Sequence, residues 1–255
     1  MDAAPVLLQR QGNAAWIRFN RPPLNLFVPE LVETVRDMFR ALAPDPEVRV
    51  AVLCGNGRAF SAGFDLRFLK RLSVVSAREL ITQLHQAIAS VYEAPFPVIA
   101  MIHGHCLGAA FELALACDLK TAAADARLGV PEVKLGIPSV IEAALLPLSA
   151  GPTRAAELLL TGETISAEQA RDWGLVNRVV PEAHLEASTA ELVARILACG
   201  PSAVRVQKEL IKRWRQTDLR SAIELGIGAF AASFSSDEPD RRITAFLEKR
   251  GRSEE

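Results

Sequence analysis

The residues best placed by type and spacing to do chemistry lie in one stretch, His103 to Asp118, HGHCLGAAFELALACD. An apolar run, Pro97-Val98-Ile99-Ala100-Met101-Ile102, precedes it and reads as a buried strand. The chain then turns on Gly104 and Gly108 and takes a helical pattern through Ala109, Ala110, Phe111, Leu113, Ala114, Leu115 and Ala116. A strand, a small-residue turn and a helix start leave backbone N–H groups free at the turn. Small residues there let another molecule approach the backbone closely. Glu112 sits inside this otherwise apolar first turn. On the residues alone it is first a helix-start charge that balances the dipole, on a helix apolar enough to be buried. A second stretch, Ala59-Phe60-Ser61-Ala62-Gly63-Phe64-Asp65-Leu66, follows the strand-like Val50–Cys54 and the turn Gly55-Asn56-Gly57. Two such turns facing each other would aim two N–H groups at one oxygen, as an oxyanion hole does. Composition alone does not say whether they face.

The elements that must position these turns can be taken in order. Val6–Gln11, Gly12-Asn13 and Ala14–Phe19 predict a β-hairpin. Pro29 is expected to open a helix carrying Leu31, Val32, Val35, Met38, Phe39 and Leu42. Arg78–Tyr92 shows one apolar helical face, and the mixed segment before it, with Arg67, Lys70 and Arg71, reads as a solvated face. Leu119–Ala124 and Ala126–Val130 predict short strands, and Ser139–Ser149 an apolar helix containing Glu142. Thr153–Thr161 predicts a helix closed by Gly162, and Ser166 with Gln169 has capping-box spacing. Leu175–Val180 is expected to be a strand. From Pro181 onward the pattern is almost entirely helical, with helices expected over 182–198, 202–215, 218–233 and 240–250. The expected organisation is therefore an α/β core over residues 1–180 and a helical region over 181–255.

Composition limits the function classes. The chain has 255 residues, 50% hydrophobic and 23% charged, which suits a globular fold rather than disorder. With 29 basic and 30 acidic residues the net charge is −1, so nothing draws it to nucleic acid or an anionic membrane. No uninterrupted run of 18 apolar residues occurs, so no membrane span is expected, and the N-terminus lacks a secretory pattern. Cys54, Cys106, Cys117 and Cys199 show no metal-ligand spacing and read as reduced cysteines of a cytoplasmic protein. No metal is expected.

Three segments together resemble the enoyl-CoA hydratase/isomerase (crotonase) superfamily. Phe60-Ser61-Ala62-Gly63-Phe64-Asp65-Leu66 is similar to its first oxyanion-hole motif, Gly104 to Ala114 to the second, and Val130-Pro131-Glu132 to its second catalytic-glutamate motif. The two glutamates lie twenty positions apart, as in the hydratases. The likeness runs from Arg21-Pro22 to Ala245–Arg250. It implies a crotonase-like spiral of repeated β-β-α units, then helices used in trimerisation, giving a homotrimer or a dimer of trimers.

The resemblance also implies an activity in fatty acid metabolism: hydration of a 2-trans-enoyl-CoA to a 3-hydroxyacyl-CoA. The backbone N–H groups of Phe64 and Ala109 would hold the thioester oxygen, Glu112 would deprotonate water, and Glu132 would be the protonated acid. Leu24, Leu26, Ala59, Ser61, Ala62, Gly63, Asp65, Leu66, Gly108, Pro131 and Ser139 would line the acyl-CoA site. The partner is the acyl-CoA thioester itself. No cofactor is implied, because coenzyme A enters as part of the substrate. Two departures stand out: alanines at 109 and 110 where glycines are usual, and Ile137-Pro138-Ser139-Val140-Ile141-Glu142 where a glycine-rich run is usual. The rivals are an enoyl-CoA isomerase working through Glu132 and a non-catalytic acyl-CoA- or RNA-binding relative.

Overall fold

The structure, a computed structural model, describes residues 4–254, with side chains through 250. Strands β1 (Val6–Gln11) and β2 (Ala14–Phe19) form the expected antiparallel hairpin, Val6 opposite Phe19. Helix α1 (Pro29–Leu42) opens on Pro29 and buries Leu31, Val32, Val35, Phe39 and Leu42. Strand β3 (Val50–Gly55) is buried along its whole length. A short helix α2 (Leu66–Leu69) leads to α3 (Val74–Tyr92). Helix α3 starts before Arg78 because Ser73 and Ser76 cap it reciprocally. Its first residues, Val74 and Val75, face solvent, so the apolar periodicity does not mark them.

Next come β4 (Val98–Ile102), β5 (His105–Leu107), α4 (Ala109–Ala116), β6 (Leu119–Ala123) and β7 (Arg127–Gly129). Two 3₁₀ turns, Pro131–Leu135 and Ile141–Leu145, lead to α5 (Leu146–Ala150). The single helix expected over 139–149 is therefore not formed. Ile141 takes a left-handed φ of +43°, which breaks helical continuity, and Pro147 fits only at the start of a new helix. Helix α6 (Pro152–Thr161), β8 (Thr164–Ser166), α7 (Ala167–Asp172) and β9 (Arg178–Val180) follow, with the Ser166–Gln169 capping box present. The expected strand at 175–180 is formed only in its second half.

Six strands make one sheet in the order β1-β2-β3-β4-β6-β9, parallel from β2 onward. Strands β3 and β4 are buried throughout, as parallel strands covered on both faces must be. A smaller sheet has the order β5-β7-β8. An isolated bridge, Ser61 to Cys106, adds the first oxyanion stretch to this second layer. Three successive units thus give one strand to the large sheet and one extended segment to the small: β3 with 61, β4 with β5, and β6 with β7. A helix or 3₁₀ turn closes each unit. That is the repeated β-β-α spiral.

Packing divides the chain into a unit ending at Val193 and a unit starting at Ala194. The first holds both sheets and the first turns of α8 (Leu185–Ala198), which bury Leu185, Thr189 and Val193. The second continues as α9 (Pro201–Trp214), α10 (Leu219–Ser233) and α11 (Glu238–Glu254). Within it, the Glu238 carboxylate accepts from the Ser202 and Ala203 amides, both at 3.1 Å, and so caps α9. No helix among the described residues is long and apolar enough to cross a membrane.

Candidate active site

The two small-residue turns do face each other, and backbone pairing makes them do so. The Ser61 N–H donates to His105 O at 3.0 Å, and the Leu107 N–H to Ser61 O at 3.1 Å. Phe60 N–H donates to His103 O at 2.8 Å. On its other side the first turn pairs with residue 27: Phe27 N–H donates to Gly63 O, and Asp65 N–H to Phe27 O. This parallel bridge uses the groups flanking Phe64 and leaves Phe64's own N–H outside it. Among the described residues that N–H has no backbone acceptor. The Ala109 N–H is likewise without one, as the first residue of α4 must be. A Cβ at Gly63 would lie 2.8 Å from Leu107 O and 3.9 Å from Ala109 N, so the two turns touch at Gly63, whose φ is +84°.

The first turn is held by a residue whose part the sequence did not reveal. Asn25 is fully buried at φ +49°. Its Nδ2 donates to the carbonyls of Asn56 at 2.7 Å, Ala59 at 2.8 Å and Phe60 at 3.2 Å. Its Oδ1 accepts from the Arg21 N–H at 3.0 Å. Its carbonyl accepts from Ser61 Oγ at 2.8 Å, and that hydroxyl in turn accepts from the Gly63 N–H at 3.1 Å. The available signal was an asparagine in a proline-rich turn, the residue type that tolerates left-handed backbone and bonds locally. Leu24 and Leu26, on either side of it, are half-buried, and Leu24 O accepts from Ala62 N–H. Ala59 is buried, Leu66 is exposed, and Asp65 caps α2 by accepting from Arg67 N–H.

The two glutamates reach the start of α4 from different elements. Glu112 stands in the first turn of α4, 3% exposed, and its Oε2 accepts from the Ala143 N–H at 3.2 Å. Glu132 follows Pro131 in the 3₁₀ turn after β7. Its Oε2 accepts from Ser139 Oγ at 2.8 Å. Its Oε1 packs on the Cα of Gly108, in the space any side chain at 108 would occupy. Gly108 sits at φ +56°, so both its backbone and its neighbour require glycine. Burial, then the nearby Glu132 carboxylate, push Glu112 from an ordinary 4.5 up to about 8. The role carried over by resemblance has Glu112 take a proton from water, which needs the ionised form that burial and Glu132 both oppose.

His103 spends its ring on Gly57 O at 3.1 Å, and His105 points to solvent. Glu142, in the 3₁₀ turn Ile141–Leu145, lies with its Oε1 2.7 Å from Nδ1 of His85 on α3. Among the described residues no group of three or more His, Cys, Asp or Glu is arranged to hold a metal ion.

A family model described as enoyl-CoA hydratase/isomerase matches residues 9–253. The chain belongs to the enoyl-CoA hydratase/isomerase family. A crotonyl-CoA hydratase from Syntrophomonas wolfei is 36% identical over 249 residues, covering 96% of this chain and 95% of that one. A short-chain-enoyl-CoA hydratase from Clostridium acetobutylicum is 32% identical, covering 98% and 97%. The crystal structure of an enoyl-CoA hydratase from Bacillus anthracis superposes with a TM-score of 0.93 at 32% identity, covering 96% of each chain. The fold is thus the crotonase fold of the hydratase/isomerase family. The facing turns and paired glutamates lie in the segments that carried the resemblance.

Proposed function

We propose that this chain is an enoyl-CoA hydratase acting on short-chain 2-trans-enoyl-CoA thioesters. The observation that carries the reading is the meeting of two turns whose Phe64 and Ala109 amides lack backbone acceptors, with Glu112 and Glu132 at the start of the helix that Ala109 opens. The amides take the thioester oxygen, which gains negative charge as water adds at C3. Ionised Glu112 removes the water proton, and Glu132, oriented by Ser139, delivers a proton to C2. One water is consumed and one 3-hydroxyacyl-CoA forms. Coenzyme A arrives with the substrate, and none of these steps calls on a metal or redox group. The half-buried Leu24, Leu26 and Ala62 and the exposed Leu66 border the approach to the turns. The relatives described as crotonyl-CoA and short-chain-enoyl-CoA hydratases support a short acyl group. The buried free thiols of Cys54 and Cys106 suit a reducing, cytoplasmic setting.

The test is loss of the conjugated-thioester absorbance with crotonyl-CoA and with six- and ten-carbon 2-enoyl-CoA substrates. Fastest turnover on crotonyl-CoA is expected; no turnover on any of them overturns the reading. The buried setting of Glu112, which raises its proton affinity, supports a second reading: Glu132 alone moves protons, which is all that a double-bond shift requires. A 3-enoyl-CoA substrate in the same assay, read by gain of absorbance, tests it.

A further inference from the structure

Ala143 holds Glu112 through a backbone bond, and that bond is shared. The Ala143 N–H donates to Glu112 Oε2 at 3.2 Å and also to Val140 O, in its own turn, at 2.9 Å. A three-centre bond divides according to direction, so the aim of the turn Ile141–Leu145 decides how much of the N–H reaches Glu112. The turn has little of its own to fix that aim. It is a 3₁₀ helix with no side-chain cap at Val140. Ile141 opens it at φ +43°, where a β-branched residue stays only if its surroundings hold it. Ala143 is buried, and Ile141 and Leu145 pack against the core, but apolar contacts carry no direction. The directional hold comes from Glu142. Its side chain is 11% exposed, and Oε1 lies 2.7 Å from Nδ1 of His85 on α3. Its Oε2 is buried with no hydrogen-bond partner among the described residues. The bond to His85 is therefore what ties this carboxyl group, and the turn that bears it, to a second element.

We infer that His85 and Glu142 form a strut that aims the Ala143 N–H at Glu112 and so positions the carboxyl group that activates water. The inference rests on the hydratase reading. Every link is a hydrogen bond or the chain itself: His85 Nδ1 to Glu142 Oε1, Glu142 to Ala143 through the peptide bond, Ala143 N–H to Glu112 Oε2. The strut moves no proton and needs no net charge, because the bond keeps its geometry whether the ring or the carboxyl group supplies the hydrogen. Its effect falls on Glu112 because a base works only within hydrogen-bond reach of the proton it removes. A misplacement of roughly 1 Å costs on the order of 10² in rate. His85 and Glu142 touch no reacting atom in this scheme, so both are positioning residues that act through Ala143.

His85→Ala, His85→Asn, Glu142→Ala and the double alanine variant test it on the full-length protein, with folding checked by circular dichroism. The His85 side chain is 56% exposed, and alanine is the best helix former, so α3 is not weakened by the change. Asparagine puts an amide N–H close to the place of Nδ1, which keeps the bond but cannot titrate. In His85→Ala, kcat for crotonyl-CoA hydration should fall roughly 10-fold, short of the loss for a full ångström, with KM within about two-fold of wild type. His85→Asn should restore most of that loss. The double variant should lose no more than Glu142→Ala alone, because either change breaks the same strut. Without substrate, hydrogen exchange at the Ala143 amide should quicken roughly 5- to 10-fold in His85→Ala, the scale of one lost hydrogen bond. Wild-type kcat in His85→Ala overturns the strut, and so does unchanged Ala143 exchange. A His85→Asn protein as slow as His85→Ala overturns it too, as do losses that simply add in the double variant. A wild-type protein that hydrates no enoyl-CoA overturns the hydratase reading, while the exchange measurement still reads whether His85 holds the turn, so the two failures are told apart.

Discussion

At the scale of single residues, Glu112 and Glu132 carry the proton chemistry while Phe64 and Ala109 contribute only backbone. Glu112→Gln and Glu132→Gln should each lower crotonyl-CoA turnover by roughly 10²–10⁴, the scale of a positioned acid or base; turnover like wild type in both would refute their roles. Ala109→Gly keeps the amide and should stay within a few-fold of wild type, whereas Ala109→Pro removes a donor, a change that costs roughly 10²–10³ in turnover. A folded Ala109→Pro protein with near-normal turnover would mean the thioester oxygen is held elsewhere. The raised proton affinity of Glu112 has two readouts. As the base must be ionised, kcat/KM should climb with pH and level off above about 8. In stability, the folded value of about 8 exceeds the ordinary 4.5, so the folded state holds a proton that the unfolded chain has released between those limits. Stability from this group is full below the lower limit and is lost as pH rises through the upper one. Glutamine cannot ionise, so Glu112→Gln should raise the melting temperature more at about pH 9 than at about pH 5. Equal shifts at both would contradict a proton-holding Glu112.

At the scale of elements, the first oxyanion turn is held less by its own residues than by Asn25, which bonds the carbonyls of Asn56, Ala59 and Phe60 from the preceding segment. Gly55 lets that side chain in, since a Cβ there would lie 2.7 Å from Asn25 Nδ2. Asn25→Ala should destabilise the chain by roughly 2–4 kcal/mol, because it strands buried carbonyls without donors. It should also lower kcat although Asn25 is assigned no contact with substrate. Denaturant melts and crotonyl-CoA kinetics check both; wild-type kcat in Asn25→Ala would show that the turn keeps its aim without the clamp. The run 139–145 is the second element of this kind. Ser139 orients Glu132, Glu142 reaches His85, and Ala143 bonds Glu112, so a segment without the expected glycines touches both candidate catalytic carboxyl groups and one imidazole.

At the scale of the whole molecule, the second unit leaves an apolar row in water. Ile223, Ile227, Phe230 and Phe234 on and after α10 are each more than half exposed, and the rings of Phe230 and Phe234 stack edge to face at 5.3 Å. An exposed apolar run of this kind marks a surface for association. We propose that it is buried in a homotrimer or a dimer of trimers. Light scattering at micromolar concentration should give three or six times the chain mass, and Phe230→Asp should shift it toward the monomer. A wild-type protein found only as monomer would refute this.

Much of the fold was legible from residue order alone. The hairpin, the Pro29 helix start, the buried strands and the C-terminal helices follow from periodicity, proline and caps, which act over a few residues. The motif positions of Glu112, Glu132, Phe64 and Ala109 were legible for the same reason: small residues beside a carboxylate make a local pattern. What the tertiary structure decided is everything that depends on long-range pairing. His105–Leu107 reads as a turn and becomes a strand because β7 lies beside it. Residues 139–149 read as one helix and break into 3₁₀ turn and helix around the left-handed Ile141 and Pro147, with Glu142 and Ala143 bonded to His85 and Glu112. Above all, the proton on Glu112 is set by burial and by neighbours twenty and thirty positions away in the chain, and a charge's environment is written only in three dimensions.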